Sequence, residues 1–315
     1  MKRSRAEPWR VPVRDSAAGF NTACLTVDWE DFGQLNCSYY TRTAPNPRPD
    51  IDRQTRIVLE LLAETGTKAT FFCLGMLARH RVDLLRRIHA EGHEVAVHGT
   101  NHVQFTRLDV DAVRRDIADS VALVSDITGA RVHGFRAPVF SITRQNLHVL
   151  EVLSELGLRY DSSIFPKELV RYGIAGFDPC PRNYELPHGG HIVELPLTVM
   201  SWAGADWPVS GGGYLRLVPE RLLGPISRRV HQAKRPFIVY THPYEFDSEP
   251  LDVTSDIPHG MCFSRARRTA LNVRWNLFRK SFTQKVRFLL QTLRFVTCQE
   301  LADDCERSDC TPLLG

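Results

Sequence analysis

The 315-residue sequence has no uninterrupted apolar run near the roughly 18 residues that would mark a bilayer span. Residues 1–20 are basic and polar, without the apolar core or small-residue cleavage site of a secretory leader. A cytoplasmic location is the expectation. There are eight cysteines but no CxxC pair, so nothing reads as a zinc ribbon. A chain of this size does not need disulfide staples, and free thiols are expected. Cys24 and Cys73 lie in apolar runs, where cysteine acts as a small hydrophobe. No GxGxxG opens the first helical segment, which argues against a doubly wound dinucleotide-binding fold. Linkers, repeats and low-complexity tracts are missing too. The expected organisation is an extension over 1–20, one domain over 21–300 and a tail over 301–315. A net charge of +4 gives no reason to expect a nucleic-acid partner.

What the sequence does have is alternation. Short apolar runs at Ala23–Val27, Ala69–Leu74, Glu94–Val97, Val132–Phe135, Leu158–Tyr160, His191–Leu195 and Phe237–Thr241 read as strands. Helical patterns fall between them at Ile51–Glu64, Met76–Ala90, Val110–Thr128, Gln145–Leu156 and Arg221–Gln232, several followed by a stopping glycine. Repeated β-then-α predicts an α/β fold with a parallel sheet, and seven or eight such units predict a barrel. The stretch from Pro166 to Pro219 is rich in Gly, Pro and Trp and reads as long and irregular. Loops of that length are usually functional.

Chemistry gathers where the strands end. Asp28 and Asp31 follow the first, His98 and His102 the third, Arg136 the fourth, Asp161 the fifth and His242 the seventh. In a β/α barrel the C-terminal strand ends converge on one mouth. The spacing of His98 and His102 places both on one face if the segment is a helical turn. Two histidines and a carboxylate form a common catalytic metal set, and Asp28 or Asp31 can supply the acid. Asp28, Glu30 and Asp31 offer three acids in four residues, enough for one to ligate and one to take a proton. Arg136, at a strand end, needs a carboxylate partner in the same mouth. His242 suits proton donation near neutral pH.

The order TVDWED, TFFCLG, EGHEVAVHGTNH, GFRAPVF, YDSSIFP, THPYEFD resembles the polysaccharide deacetylases of the NodB-homology, carbohydrate esterase 4-like family, over about residues 22–300. The spaced DWED and the stretch Gly211–Pro219 resemble a subgroup associated with exopolysaccharide biosynthesis. The resemblance implies a distorted (β/α)7-type barrel that removes N-acetyl groups from amino sugars. It implies Asp28 as catalytic base, and Asp31, His98 and His102 as ligands of a divalent metal, zinc or else cobalt, nickel or manganese. It further implies Arg136 orienting Asp28, the Phe140 backbone N–H in an oxyanion hole, His242 as general acid and Asp161 as its support. Because Trp29 and Glu30 separate the two aspartates, Glu30 competes for the metal, and the subgroup's form ranks Asp31 ahead of it.

Trp202, Trp207 and Tyr214 are the expected platforms for sugar rings. Gly211, Gly212 and Gly213 either let backbone approach a ligand or form a flexible turn. Residues 264–294 carry nine Lys/Arg and no acid, and subtracting them from +4 leaves −5 elsewhere. That segment is a solvated helix face, or it meets an anionic membrane surface or the phosphate of a lipid- or nucleotide-linked sugar. Two rival functions remain: a deformylase or amidase on another N-acyl substrate, and a catalytically silent carbohydrate-binding barrel.

Overall fold

A computed structural model describes residues 22–35, 46–169, 171–253, 264–307 and 311–313. The extension over 1–20 and Cys37, Cys262 and Cys310 lie outside these residues. The alternation read from sequence is realised as β1 (Ala23–Trp29), α1 (Asp50–Thr65), β2 (Thr70–Cys73), α2 (Gly75–His80), α3 (Val82–Ala90), β3 (Glu94–Val97) and α4 (Val110–Thr128). Then follow β4 (Gly134–Phe135), α5 (Val149–Glu155), β5 (Tyr160–Asp161), β6 (Arg182–Glu185) and β7 (His191–Glu194). The expected irregular stretch also contains a hairpin, β8 (Val199–Trp202) and β9 (Ala205–Pro208), and a helix, α6 (Gly212–Leu217). The remaining elements are α7 (Glu220–Gln232), β10 (Phe237–Thr241), α8 (Pro243–Phe246), α9 (Arg265–Asn276), α10 (Phe282–Thr292), α11 (Cys298–Glu306) and β11 (Thr311–Pro312).

Nine strands hydrogen-bond in the order β10-β1-β2-β3-β4-β5-β7-β6-β11, parallel except for the β6–β7 pair. The sheet wraps around an interior. Cys24 of β1, Phe72 of β2, Ala96 of β3, Tyr160 of β5, Val193 of β7 and Ile238 of β10 belong to one buried cluster, so strands far apart in the order face each other. One hydroxyl and one backbone carbonyl bridge the gap between the β7 side and β10. Thr198 Oγ1 accepts from Ile238 N–H at 2.8 Å and donates to Pro236 O at 3.2 Å; Ser210 O accepts from Tyr240 N–H at 3.1 Å. This is the distorted barrel expected of the repeating pattern, joined at one seam by the Thr198 hydroxyl and an isolated parallel bridge between Gly211 and Tyr240 instead of a full ladder.

Strand parity sorts the residues. In β1, Cys24, Thr26 and Asp28 face the interior, while Leu25, Val27 and Trp29 join the larger cluster beneath the helices. Tyr160 crosses the interior to donate to Glu94 Oε1 at 2.6 Å, which is why residue 134 is glycine: a Cβ there would lie 1.9 Å from the Tyr160 ring. Cys298, Leu301, Ala302 and Cys305 of α11 close the floor. A tail beginning at 301 is thus corrected: the boundary falls inside a helix whose apolar face is core.

Candidate active site

Asp28, Glu30, His98, His102 and His242 line one pocket of about 370 Å³ at the strand ends. Asp28 is held by Arg136, whose guanidinium is fully buried. Nη1 donates to Asp28 Oδ1 at 2.6 Å and to Thr26 Oγ1 at 2.8 Å; Nε donates to Ser162 O and Nη2 to Ser162 Oγ, both at 2.9 Å. The Phe72 ring lies 4.1 Å below the guanidinium carbon. A buried cation with a carboxylate and further acceptors meets its desolvation cost and fixes the acid in place.

The carboxylate beside the two histidines is Glu30, not Asp31. One donor atom each from Glu30, His98 and His102 lies within 4.8 Å of the others, all buried. The Glu30 N–H bonds to Asp28 O at 3.0 Å, a tight turn after β1 that returns the Glu30 side chain to the pocket. Asp31 instead caps the following turn: its Oδ1 accepts from Gly33 N–H at 2.8 Å, and its N–H donates to Gln34 Oε1 at 3.0 Å. The expected ligand Asp31 is corrected on that ground.

The histidines meet through a loop, not the helical turn their spacing suggested. His102 takes a left-handed φ of 54°, and the two ring centroids lie 5.4 Å apart. Asp116 on α4 pins the loop, accepting from Thr100 N–H through Oδ2 at 2.9 Å and from Thr100 Oγ1 through its backbone O at 2.7 Å. His98 Nδ1 sits 2.8 Å from Arg136 O, a contact made by an N–H, which leaves Nε2 with its lone pair toward the cluster. Burial keeps His98 below its usual pKa, against the pull of Asp28 and Glu30, which favours the neutral form that binds metals.

These residues fit a metal ion. Glu30 Oε2 is 2.6 Å from His102 Nε2, yet Glu30 Oε2 and His102 Nδ1 are buried without a hydrogen-bond partner among the described residues. Buried polar atoms are rarely left so. Burial would raise the Glu30 carboxyl, but His102 and His242 outweigh it and hold it well below the ordinary carboxylate range.

His242 stands opposite, its Nε2 3.3 Å from Glu30 Oε1 and its Nδ1 3.4 Å from Glu245 Oε2. Burial pulls its pKa down, but hydrogen bonds to Glu245 and Glu30 outweigh burial and raise it to about 10. Glu245, three residues on, also accepts from the His242 N–H at 3.0 Å. Gly212 explains how Glu245 fits: a Cβ there would lie 1.7 Å from Glu245 Oε2. The triple glycine therefore serves close packing at Gly212, and at Gly211 against the Tyr240 ring. Glu245 was absent from the sequence reading, although the i,i+3 spacing His242-x-x-Glu245 of a capping box was there to be seen.

Asp161 does not reach this mouth. It lies on the other face of β5, accepting from Ser163 Oγ at 2.5 Å and paired with buried Glu194. Burial raises both carboxyls. Ser163 Oγ in turn accepts from Ala137 N–H at 2.7 Å, so Asp161 braces the loop after β4. Phe140 lines the pocket, but its N–H donates to Ala137 O at 3.0 Å within a 3-10 turn, so an oxyanion role for it is corrected. Tyr214 lines the pocket. Trp202 and Trp207 do not: they project from the β8–β9 hairpin, about half exposed, with Trp207 Nε1 donating to Trp202 O at 3.3 Å.

Residues 46–160 match the family model described as polysaccharide deacetylase. That segment is similar to the polysaccharide deacetylase family. Residues 162–303 match a second model, described as a domain of unknown function (DUF3473), which supplies His242 and Glu245. A chitooligosaccharide deacetylase of Rhizobium leguminosarum bv. trifolii is 33% identical over 150 residues, 47% of this chain and 66% of that one. The chain spans less than two thirds of the curated relatives it matches first. A solved Mycobacterium smegmatis chain assigned to the polysaccharide deacetylases shares the deacetylase fold, with a TM-score of 0.58 at 19% identity, covering 98% of this chain and 96% of that one. Puue allantoinase is also similar in fold, with a TM-score of 0.53 at 14% identity over 90% of this chain and 89% of that one.

Proposed function

We propose that the protein is a metal-dependent N-deacetylase that hydrolyses the N-acetyl group of an amino sugar in a saccharide and releases acetate. The observation that carries this reading is the convergence of an arginine-held acid, a two-histidine, one-carboxylate cluster and a carboxylate-backed histidine in one pocket. The names of relatives such as the Rhizobium chitooligosaccharide deacetylase point to the same chemistry.

Glu30, His98 and His102 would hold the metal. Their nitrogen and oxygen donors suit zinc, with cobalt, nickel or manganese as substitutes. When bound, the ion supplies a Lewis acid for the acetyl carbonyl and lowers the pKa of a water. Asp28, oriented by Arg136, takes the proton as that water adds to the carbonyl carbon. His242, held cationic by Glu245, gives a proton to the sugar nitrogen as the C–N bond breaks. Acetate and the free amino sugar result. Tyr214, Tyr172 and Tyr240 wall the pocket and suit the C–H faces of a sugar ring. For location, the five described cysteines are all free, which agrees with a reducing, cytoplasmic compartment. Exopolysaccharide biosynthesis is the process this reading favours.

A mass-spectrometric screen of N-acetylated and N-formylated amino-sugar oligomers tests the assignment. Loss of acetyl groups is expected. Turnover confined to formylated or non-sugar amides would make the protein a deformylase or another amidase, and turnover of none would leave a binding barrel.

A further inference from the structure

The mouth of the pocket is not an ordinary polar rim. Leu217 and Leu277 line it and are 58% and 42% exposed. Phe278 follows Leu277 and is 54% exposed; Val273, one helical turn before Leu277, is 59% exposed. Four large apolar side chains facing solvent beside a binding pocket mark an interaction surface.

Their support is rigid. The inner face of α9 is fixed by Leu271 and Trp275, which pack on Phe32 and Tyr244. Asn272 Oδ1 accepts from Val253 N–H at 3.0 Å and Asn276 Oδ1 from Leu251 N–H at 2.8 Å. Arg216 joins α6 to the end of α9 by donating to Trp275 O at 2.6 Å. Arg279 is buried, not a surface cation: it donates to Tyr244 O, to Glu249 O at 2.8 Å and to Asn276 Oδ1 at 2.9 Å. Phe278 itself is held at φ 59°, a left-handed conformation that is unfavourable for a non-glycine residue. There it turns the chain from α9 into a 3-10 turn, its O accepting from Ser281 Oγ at 3.1 Å, and leaves the ring at the surface 5.9 Å from Lys285 Nζ.

Charge identifies the occupant. α9 carries Arg265, Arg267, Arg268 and Arg274, all exposed, and residues 264–294 contain no acid. Arg274 lines the pocket. A second copy of this face would oppose like charges. Apolar side chains ringed by arginines suit a lipid surface with anionic headgroups, where the rings enter the headgroup boundary and the cations meet phosphate. We infer that the pocket mouth docks on an anionic lipid surface, so that the saccharide it receives is one carried at that surface. The substrate clause rests on the deacetylase reading; the docking does not.

The test is co-sedimentation of the full chain with vesicles of phosphatidylcholine alone or mixed with phosphatidylglycerol. Binding is expected to the mixed vesicles only, and to weaken with salt. Phe278→Gly should lower the partition about tenfold, because a buried aromatic ring is lost, while relieving strain and leaving the melting temperature equal or higher. Arg265→Glu with Arg268→Glu should lower it at least about tenfold, since each cation near such a surface contributes roughly 1 kcal/mol. Turnover of a water-soluble acetylated oligosaccharide should be unchanged in both variants. Equal partition of wild type and variants, absence of sedimentation, or salt-insensitive binding to neutral vesicles would overturn the inference. Absence of turnover on every soluble sugar would instead overturn the deacetylase reading and leave the docking result standing.

Discussion

Asp28 and Glu30 sit two residues apart at the end of β1, on opposite sides of Trp29, which is buried beneath α1 with its Nε1 donating to Thr55 at 2.9 Å. In the proposed function that arrangement separates a proton-transfer acid from a ligand acid. Glu30→Ala should therefore lose bound metal, whereas Asp31→Ala should keep it and lose only about 1 kcal/mol of stability as a turn cap. Elemental analysis with thermal melts distinguishes them; metal loss in Asp31→Ala alone would reverse the assignment. Asp28→Asn should retain the metal and lose about 10²–10⁴-fold in kcat. Strand parity was no guide to Glu30, because β1 ends at Trp29 and the turn after it brings the Glu30 side chain back to the pocket. The family form pointed to Asp31 instead, and nothing in the residue order shows that Asp31 is consumed by Gly33 N–H.

At the scale of elements, β10, α8 and α6 form one assembly around His242. Gly212→Ala forces Glu245 aside and should lower kcat by up to about 10²-fold while metal content stays full. Steady-state kinetics with metal analysis checks it, and wild-type turnover would show that Glu245 does not position His242. Elements with a clear period were readable: Glu94–Val97, Val110–Thr128 and Phe237–Thr241 fall where the pattern places them. The helix expected from Met76 to Ala90 divides at Arg81, whose φ of −133° breaks the helix without proline or glycine. The β8–β9 hairpin turns at Ala203 and Gly204 with φ 52° and 77°, and Ala203 gives none of the usual Asn-Gly signal. Asp161 was misplaced for a related reason: a two-residue strand has no pattern from which to read which face it presents.

The described residues form a mostly parallel barrel, closed at its floor by α11 and at one seam by the Thr198 hydroxyl and the Ser210 backbone carbonyl, which accept from β10. Near that floor, burial, aided by Lys68, lowers the pKa of His93 to about 4. The unfolded chain takes up this proton near pH 6.5 and the folded one does not until about pH 4, so His93 contributes stability above pH 6.5 that is lost as pH falls between those values. The loss is on the order of 3 kcal/mol. Melts across that range should show a shallower acid decline for His93→Gln; identical profiles would exclude His93. No helix among the described residues is long and apolar enough to cross a membrane. The order of motifs made the barrel legible, but the exposed mouth was hidden because Arg279 and Lys285, basic in sequence, are structural, hydrogen-bonded to backbone carbonyls. The most direct test of the central claim is acetate release from an N-acetylated chitooligosaccharide by the full chain, stripped of metal and then reloaded with one equivalent of zinc. No release is expected from the stripped chain, with recovery at one ion per chain. Undiminished release from the stripped chain, or none from a chain shown to hold one ion, would contradict it.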